Sequence, residues 1–311
     1  MTSSNENDIF IYIMAGGSGT RFAPLSTPEK PKQFLKIIND KSLLRQTYER
    51  VKGITSNVYI GVNVSHINHI YKELPGFDVN KVLMETEMKN TGPAIAHAAQ
   101  FFFKINPKAV MVCVPADHYI HDEKKFVQVV EEACSVARYY RMVVTLGMKP
   151  TYPSTEYGYI KKGALIINKR GNQVYKVKRF VEKPNLEKAT DYLKEGSYYW
   201  NGGIFVWGVC AALWFYKKCS PDIYRALSIL GDGTDKSRII NYYKSVPRIS
   251  VDYAIMEKSD NDIGMIPADI GWNDVGTWES LDRFIKKNKS IIMSGDFIDY
   301  LNGWKKKGRE I

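Results

Sequence analysis

The sequence is poor in cysteine and has no long apolar run. Its four cysteines, Cys113, Cys134, Cys210 and Cys219, form no CxxC pair and show no other metal-ligand spacing, which speaks against a thiolate metal centre. Cys113 lies inside the apolar run 109–114, so a buried free thiol is expected, and with it a reducing compartment. The longest apolar stretch, residues 202–216, is shorter than a bilayer span and full of aromatics; a strand running into a buried helix accounts for it. Residues 1–8 are polar and acidic and lack the basic start and apolar stretch of a signal peptide. Internal repeats and low-complexity tracts are absent. A soluble, cytoplasmic protein with no membrane partner is expected.

What the sequence does contain is ordinary in bulk and distinctive in places. Its 311 residues suffice for one large core, or one core with a small appendage. With 44% hydrophobic and 25% charged residues it is too apolar for a disordered chain. The formal charge of +11 suits an anionic partner such as a polyphosphate, a nucleic acid or an acidic membrane surface, or else reflects a lysine-rich solvated surface. The lysines are scattered and no nucleic-acid-binding motif is present, so nucleic acid is not expected as a partner.

Strand-like and helix-like segments alternate, which predicts an α/β fold with a mainly parallel sheet. Residues 9–14, 57–62, 109–114 and 142–147 read as strands, and 42–51, 94–105 and 124–140 as helices. In the second half, 159–167 and 174–181 alternate around a turn at 169–172, predicting an antiparallel pair. Residues 186–194 and 211–218 read as helices. Past residue 285 the pattern fades, giving an expected division into a domain at 1–285 and a short basic tail at 286–311, with one short element.

The segment IFIYIMAGGSGTR, residues 9–21, carries the first chemistry. A buried strand ends in Gly16, Gly17 and Gly19, followed by Thr20 and Arg21. Glycines at the carboxyl end of a parallel strand let backbone N–H groups approach a phosphate, and Arg21 adds a fork suited to phosphate oxygens. It is neither a P-loop, which needs Gly-Lys-Ser/Thr, nor a dinucleotide fingerprint, which needs a glycine where Phe22 stands. A tight turn and nothing more is the competing reading. The sequel PLSTPEKPKQFL, residues 24–35, brings Lys32 behind Pro31, so one loop offers amides, an arginine and a lysine to a polyphosphate.

GGSGTR followed by PKQFL resembles the signature of the sugar nucleotidyltransferases, in particular the bacterial and archaeal mannose-1-phosphate guanylyltransferases. The resemblance runs from Ile11 to about Phe284. It implies a Rossmann-like nucleotidyltransferase fold with a mainly parallel mixed central sheet flanked by helices. It also implies transfer of GMP from GTP to mannose 1-phosphate, giving GDP-mannose and pyrophosphate. NTGPAIAHAA, residues 90–99, is similar to the segment that opens a helix beside the base, which would add Thr91 and Gly92 to the nucleotide site; a capped helix is the plain alternative. Asp117, in VPADHYI, stands at a strand's carboxyl end, where a carboxylate can hold Mg²⁺; a solvated turn residue is the alternative. His118 is given a structural role. STEYGYI, FVEKP and WNGGIF resemble the sugar-side motifs, implying Gly158, Glu182 and Asn201 at the sugar and Lys183 at its phosphate. SVDYAIMEK and IGWNDVGTW complete the set, and the resemblance alone makes Asp274 a second Mg²⁺ ligand opposite Asp117.

As implied, Arg21, Lys32 and Lys183 are the catalytic cations, acting by positioning and charge neutralisation. Several positions depart from the family pattern. Ala23 replaces a tryptophan, Thr86 and Lys89 a proline and an arginine, Glu156 a glycine, and Gly202 a serine. Thr86, Lys89 and Glu156 bear on substrate choice, which keeps a thymidylyl- or uridylyltransferase for another hexose 1-phosphate as the alternative, along with a non-catalytic sugar-nucleotide sensor. Longer relatives carry a C-terminal isomerase domain, and this chain is expected to lack it. A homodimer is left open.

Overall fold

The apolar run at the start of the chain forms strand β1 (Ile9–Met14), whose alternate side chains enter two different cores. Ile9, Ile11 and Ile13 face one way and Phe10 and Tyr12 the other, so the strand is covered on both sides, as its unbroken apolar sequence requires. A computed structural model describes residues 8–17, 19, 22–140, 142–169, 172–231, 233–259, 262–287 and 292–306.

After β1 come α1 (Leu43–Val51), β2 (Val58–Asn63), α2 (Ile67–Glu73), β3 (Val82–Glu85), α3 (Thr91–Ile105) and β4 (Val110–Pro115). A short β5 (Tyr119–Ile120) leads to α4 (Glu123–Tyr140) and β6 (Val143–Met148). The long hairpin β7 (Tyr159–Lys169) and β8 (Asn172–Val181) is followed by α5 (Leu186–Glu195) and β9 (Tyr198–Gly208). Then α6 (Val209–Cys219), α7 (Pro221–Leu230), α8 (Lys236–Ser245) and α9 (Val251–Ala254) precede β10 (Ile263–Pro267) and β11 (Trp272–Asn273). The described chain ends with α10 (Trp278–Lys287) and α11 (Gly295–Lys306).

Nine of the described strands form one sheet in the order β3-β2-β1-β4-β9-β6-β10-β8-β7. β1 is parallel to β2 and β4, β2 to β3, and β6 to β10. β9 runs against β4, β6 and β7, and β8 against β7 and β10, so seven of the nine strands share one direction. The expected α/β fold with a mainly parallel mixed sheet is therefore the observed one. One face packs on α1, α2, α4 and α5, the other on α3, α6, α7 and α8. The 202–216 run is the expected strand passing into a helix, β9 into α6.

A third cluster joins Phe22, Leu35, Leu43, Val275, Phe284 and Phe297. It ties the segment behind the glycine loop to the last described elements: Phe22 stacks on Trp278 at 4.7 Å, and the Trp278 indole N–H donates to the Ala23 carbonyl. The expected basic tail carries a 12-residue helix, α11, which buries Phe297, while Ser294 donates to the Ile37 and Lys36 carbonyls. Apolar residues at 297 and 301, spaced one helical turn apart, supply the face that packs.

Candidate active site

The parallel strands end on one rim, and a cleft of about 430 Å³ opens there. Gly16 and Gly17, at the end of β1, line it. A Cβ on Gly16 would stand 2.5 Å from the Glu85 carboxylate at the end of β3, so only glycine admits this approach. Gln33 fixes the loop by donating from its amide to the Ala15 and Gly17 carbonyls at 2.7 and 2.9 Å. Gly19, at φ +62°, lies against the Lys32 backbone, where a Cβ would come within 2.6 Å of the Lys32 nitrogen. Thr20 and Arg21 lie outside the described residues.

Lys32 is buried, at 4% exposure, rather than extended over an open loop. Its ammonium donates to the Asp117 carboxylate at 2.9 Å and to the Asp274 backbone carbonyl. Asp117 and Asp274 thus meet at one cation although 157 positions separate them. The local reason is the two-stranded ribbon of β5 and β11, which pairs Trp272 with Ile120 and Asn273 with Tyr119. The ribbon sets the residue after β11 beside the turn before β5. The Asp274 carboxylate accepts from the Tyr157 hydroxyl at 2.6 Å and from Ser280 at 3.2 Å. Burial and the Asp274 charge push the Tyr157 hydroxyl far up, so it remains a donor. His118 accepts from the Trp272 indole at Nδ1, which leaves the ring proton on Nε2, 3.9 Å from Asp117. Burial holds its pKa below the usual imidazole value, with the Asp117 charge opposing and the Lys32 charge adding to the shift.

The opposite wall is built from the β7–β9 contact and the turn after β8. Gly158 accepts at its carbonyl from the Asn201 backbone N–H at 2.8 Å, and a Cβ on Gly158 would lie 2.5 Å from the Glu182 carboxylate. Glu182 pairs with Lys183, whose backbone φ of 45° turns the chain there. Asn201 is clamped at both ends: its side-chain N–H donates to Asp252 at 3.0 Å, and its carbonyl oxygen accepts from the Gly203 N–H at 3.1 Å. Gly158, Glu182, Lys183 and Asn201 all line the same cleft as Asp117 and Asp274.

At the third side, Asn90, with φ 68°, caps α3 and accepts from the Thr91 N–H. Thr91 lines the cleft. Gly92 is buried behind it, its N–H donating to the Ile249 carbonyl at 3.0 Å, in the position of a packing residue. Two lining carboxylates, Glu85 and Asp252, are ones that the motifs do not assign. Glu85 is 5% exposed, and burial pushes it up to about 7, with a Tyr12 hydroxyl opposing. Asp252, in the first turn of α9, is also pushed up to about 7, first by burial and then by the Glu182 charge. The available signal for Glu85 is its place at a strand's carboxyl end, the same signal that marks Asp117; strand β3 itself is too short to read.

Residues 11–290 match the family model described as Nucleotidyl transferase. The chain is 35% identical over 308 residues to mannose-1-phosphate guanylyltransferase 2 of Escherichia coli O157:H7, covering 94% of this chain and 63% of that protein. It is 38% identical over 283 residues to the xanthan biosynthesis protein XanB of Xanthomonas campestris pv. campestris (strain B100), covering 88% of this chain and 59% of that one. The chain thus spans about three fifths of the length of these curated relatives. Among solved structures, the mannose-1-phosphate geranyltransferase of Thermus thermophilus superposes with a TM-score of 0.79 at 30% identity, over 89% of this chain and 79% of that one.

Proposed function

The chain belongs to the nucleotidyl transferase family, and from that premise we propose that it transfers GMP from GTP to mannose 1-phosphate, releasing pyrophosphate and forming GDP-mannose. The observation that carries the reading is the meeting of Lys32, Asp117 and Asp274 in a cleft flanked by two chemically different walls. Glu85 stands in the first wall, and Glu182, Lys183 and Asn201 in the second.

The sugar phosphate's oxygen attacks the α-phosphorus of the triphosphate, the new P–O bond forms, and the bond to the pyrophosphate oxygen breaks. A phosphate oxygen needs no general base, so the protein's part is to position two anions and offset their charge. The glycine loop takes the triphosphate on backbone amides, and Arg21 and Lys32 offset charge moving toward pyrophosphate. Lys183 places the attacking phosphate. The first wall suits guanine: its N1–H and N2–H₂ donors match a carboxylate acceptor such as Glu85. The second wall offers acceptors and a donor to sugar hydroxyls.

Asp117 and Asp274 would hold Mg²⁺. The donor set fits a hard divalent ion, since an ammonium already sits within reach of the Asp117 carboxylate and the Asp274 carbonyl. Among the described residues no group of three or more His, Cys, Asp or Glu is arranged to hold a metal, so substrate oxygens would complete the shell. When bound, the ion supplies charge neutralisation between the two phosphates. A cytoplasmic setting is part of the proposal, supported by the buried free thiols of Cys113 and Cys134; no described helix is long and apolar enough to cross a membrane. Incubation with GTP, mannose 1-phosphate and Mg²⁺, followed by ³¹P NMR, tests the reaction. GDP-mannose and pyrophosphate in equal amounts are expected, and GDP with inorganic phosphate would show hydrolysis instead.

A further inference from the structure

One segment, residues 248–257, touches both walls of the cleft. At the nucleotide wall the Ile249 N–H donates to the Lys89 carbonyl at 3.1 Å, and the Ile249 carbonyl accepts from Gly92 at 3.0 Å. The Val251 N–H donates to the Thr91 hydroxyl at 2.9 Å, and Ser250 caps α9. At the other wall Asp252 accepts from the Asn201 side chain, and the Glu257 carboxylate accepts from the Glu182 N–H at 2.9 Å. The segment therefore presents Asp252 from a backbone pinned on both sides, and Asp252 lines the cleft itself.

The acceptor count gives this placement its meaning. An ionised carboxylate has about four acceptor positions; the Asn201 side chain, the Ser250 hydroxyl and the Asp252 backbone N–H each use one, which leaves about one for a ligand. Glu182 and Asp252 both line the cleft; the Glu182 charge raises the cost of ionising Asp252 and the Lys183 charge lowers it. Such a pair is relieved by a ligand that brings several hydroxyl donors, and a sugar ring does so where a phosphate does not. Asn201 keeps a second N–H to give once Asp252 has fixed its orientation.

We propose that Asp252 is a specificity-determining residue for the sugar 1-phosphate, accepting a hydrogen bond from one ring hydroxyl alongside Glu182. This rests on the sugar-phosphate reading of that wall. Asp252→Asn is the informative change. It keeps an oxygen for the Asn201 bond but replaces an acceptor with a donor, which separates reading the sugar from holding Asn201.

The test is steady-state kinetics with saturating GTP on mannose 1-phosphate and its 2-, 3-, 4- and 6-deoxy analogues. Asp252→Asn is expected to lower kcat/KM for mannose 1-phosphate at least tenfold, mostly through KM, with the KM for GTP changed less than twofold. One deoxy analogue should be poor for the wild type yet carry little further loss in the variant, because the contact it lacks is already gone. Equal penalties for every analogue in both proteins, or a matching rise in the KM for GTP, would overturn the proposal. If Asp252→Asn melts early, Asp252→Ser in the same series decides the same question. If the wild type uses another triphosphate and sugar phosphate, the function reading fails on its own. The cycle, run with deoxy analogues of that sugar, still decides the role of Asp252.

Discussion

Glu85 gives the sharpest quantitative test of the nucleotide wall. It is 5% exposed at the end of β3, and burial pushes its carboxyl from the ordinary 4.5 up to about 7. A carboxyl raised in the fold binds its proton more tightly there than in the unfolded chain. Stability is therefore lost as pH rises from 4.5 to about 7, and the full cost above pH 7 is about 3 kcal/mol. Glu85→Gln cannot ionise and escapes that cost. Urea unfolding of both proteins at pH 5 and pH 8 should show the variant gaining on the wild type by roughly 2 kcal/mol between the two conditions. Asp252 titrates in the same range but is common to both proteins, so it cancels. In the proposed complex, a guanine that donates two N–H groups would offset that cost in the charged form. Accordingly kcat/KM for GTP in Glu85→Gln should fall roughly 100-fold at pH 8, the loss of a charge-assisted hydrogen bond. A stability gap that stays constant from pH 5 to pH 8, with GTP use unchanged, would refute the reasoning.

The remaining predictions concern the proposed metal ligands, Lys32 and the wall proposed for the sugar. Asp117→Asn and Asp274→Asn should each nearly abolish turnover and raise the Mg²⁺ needed for any remaining activity, and the double variant should be little worse than either single one. A wild-type metal titration in Asp274→Asn would reduce that residue to a partner of Tyr157 and Ser280. Lys32→Met should cut turnover by roughly two to three orders of magnitude with the fold retained in circular dichroism, the range for losing one preorganised charge. Gly158→Ala puts a methyl 2.5 Å from the Glu182 carboxylate, and should raise the KM for the sugar phosphate about tenfold while sparing GTP, as initial rates would show.

How far the sequence alone reaches follows from which signals are local. The buried strands β1 and β4 announce themselves as unbroken apolar runs, and the hairpin of β7 and β8 by alternation about a turn. The four-residue β3 and the two-residue β11 carry too little pattern to read, yet each places a carboxylate, Glu85 and Asp274, on the cleft. The pairing of Asp117 with Asp274 comes from family resemblance, and only the β5–β11 ribbon supplies its physical cause. Lys32 reads in the sequence as a cation that the loop offers to a polyphosphate. It is buried because Asp117 and the Asp274 carbonyl come from far along the chain to satisfy it. Gly92 is given to the nucleotide site by family resemblance alone; its amide bonds to the Ile249 carbonyl, a tertiary partner invisible locally.

Pyrophosphate release measured across a matrix of GTP, ATP, UTP and dTTP against mannose, glucose and galactose 1-phosphates tests the central claim most directly. The account predicts the highest kcat/KM for GTP with mannose 1-phosphate, and a sharp fall when guanine is replaced. A clear preference for UTP or dTTP with glucose 1-phosphate would contradict it, and would move attention to Thr86, Lys89 and Glu156 as the residues that set the choice.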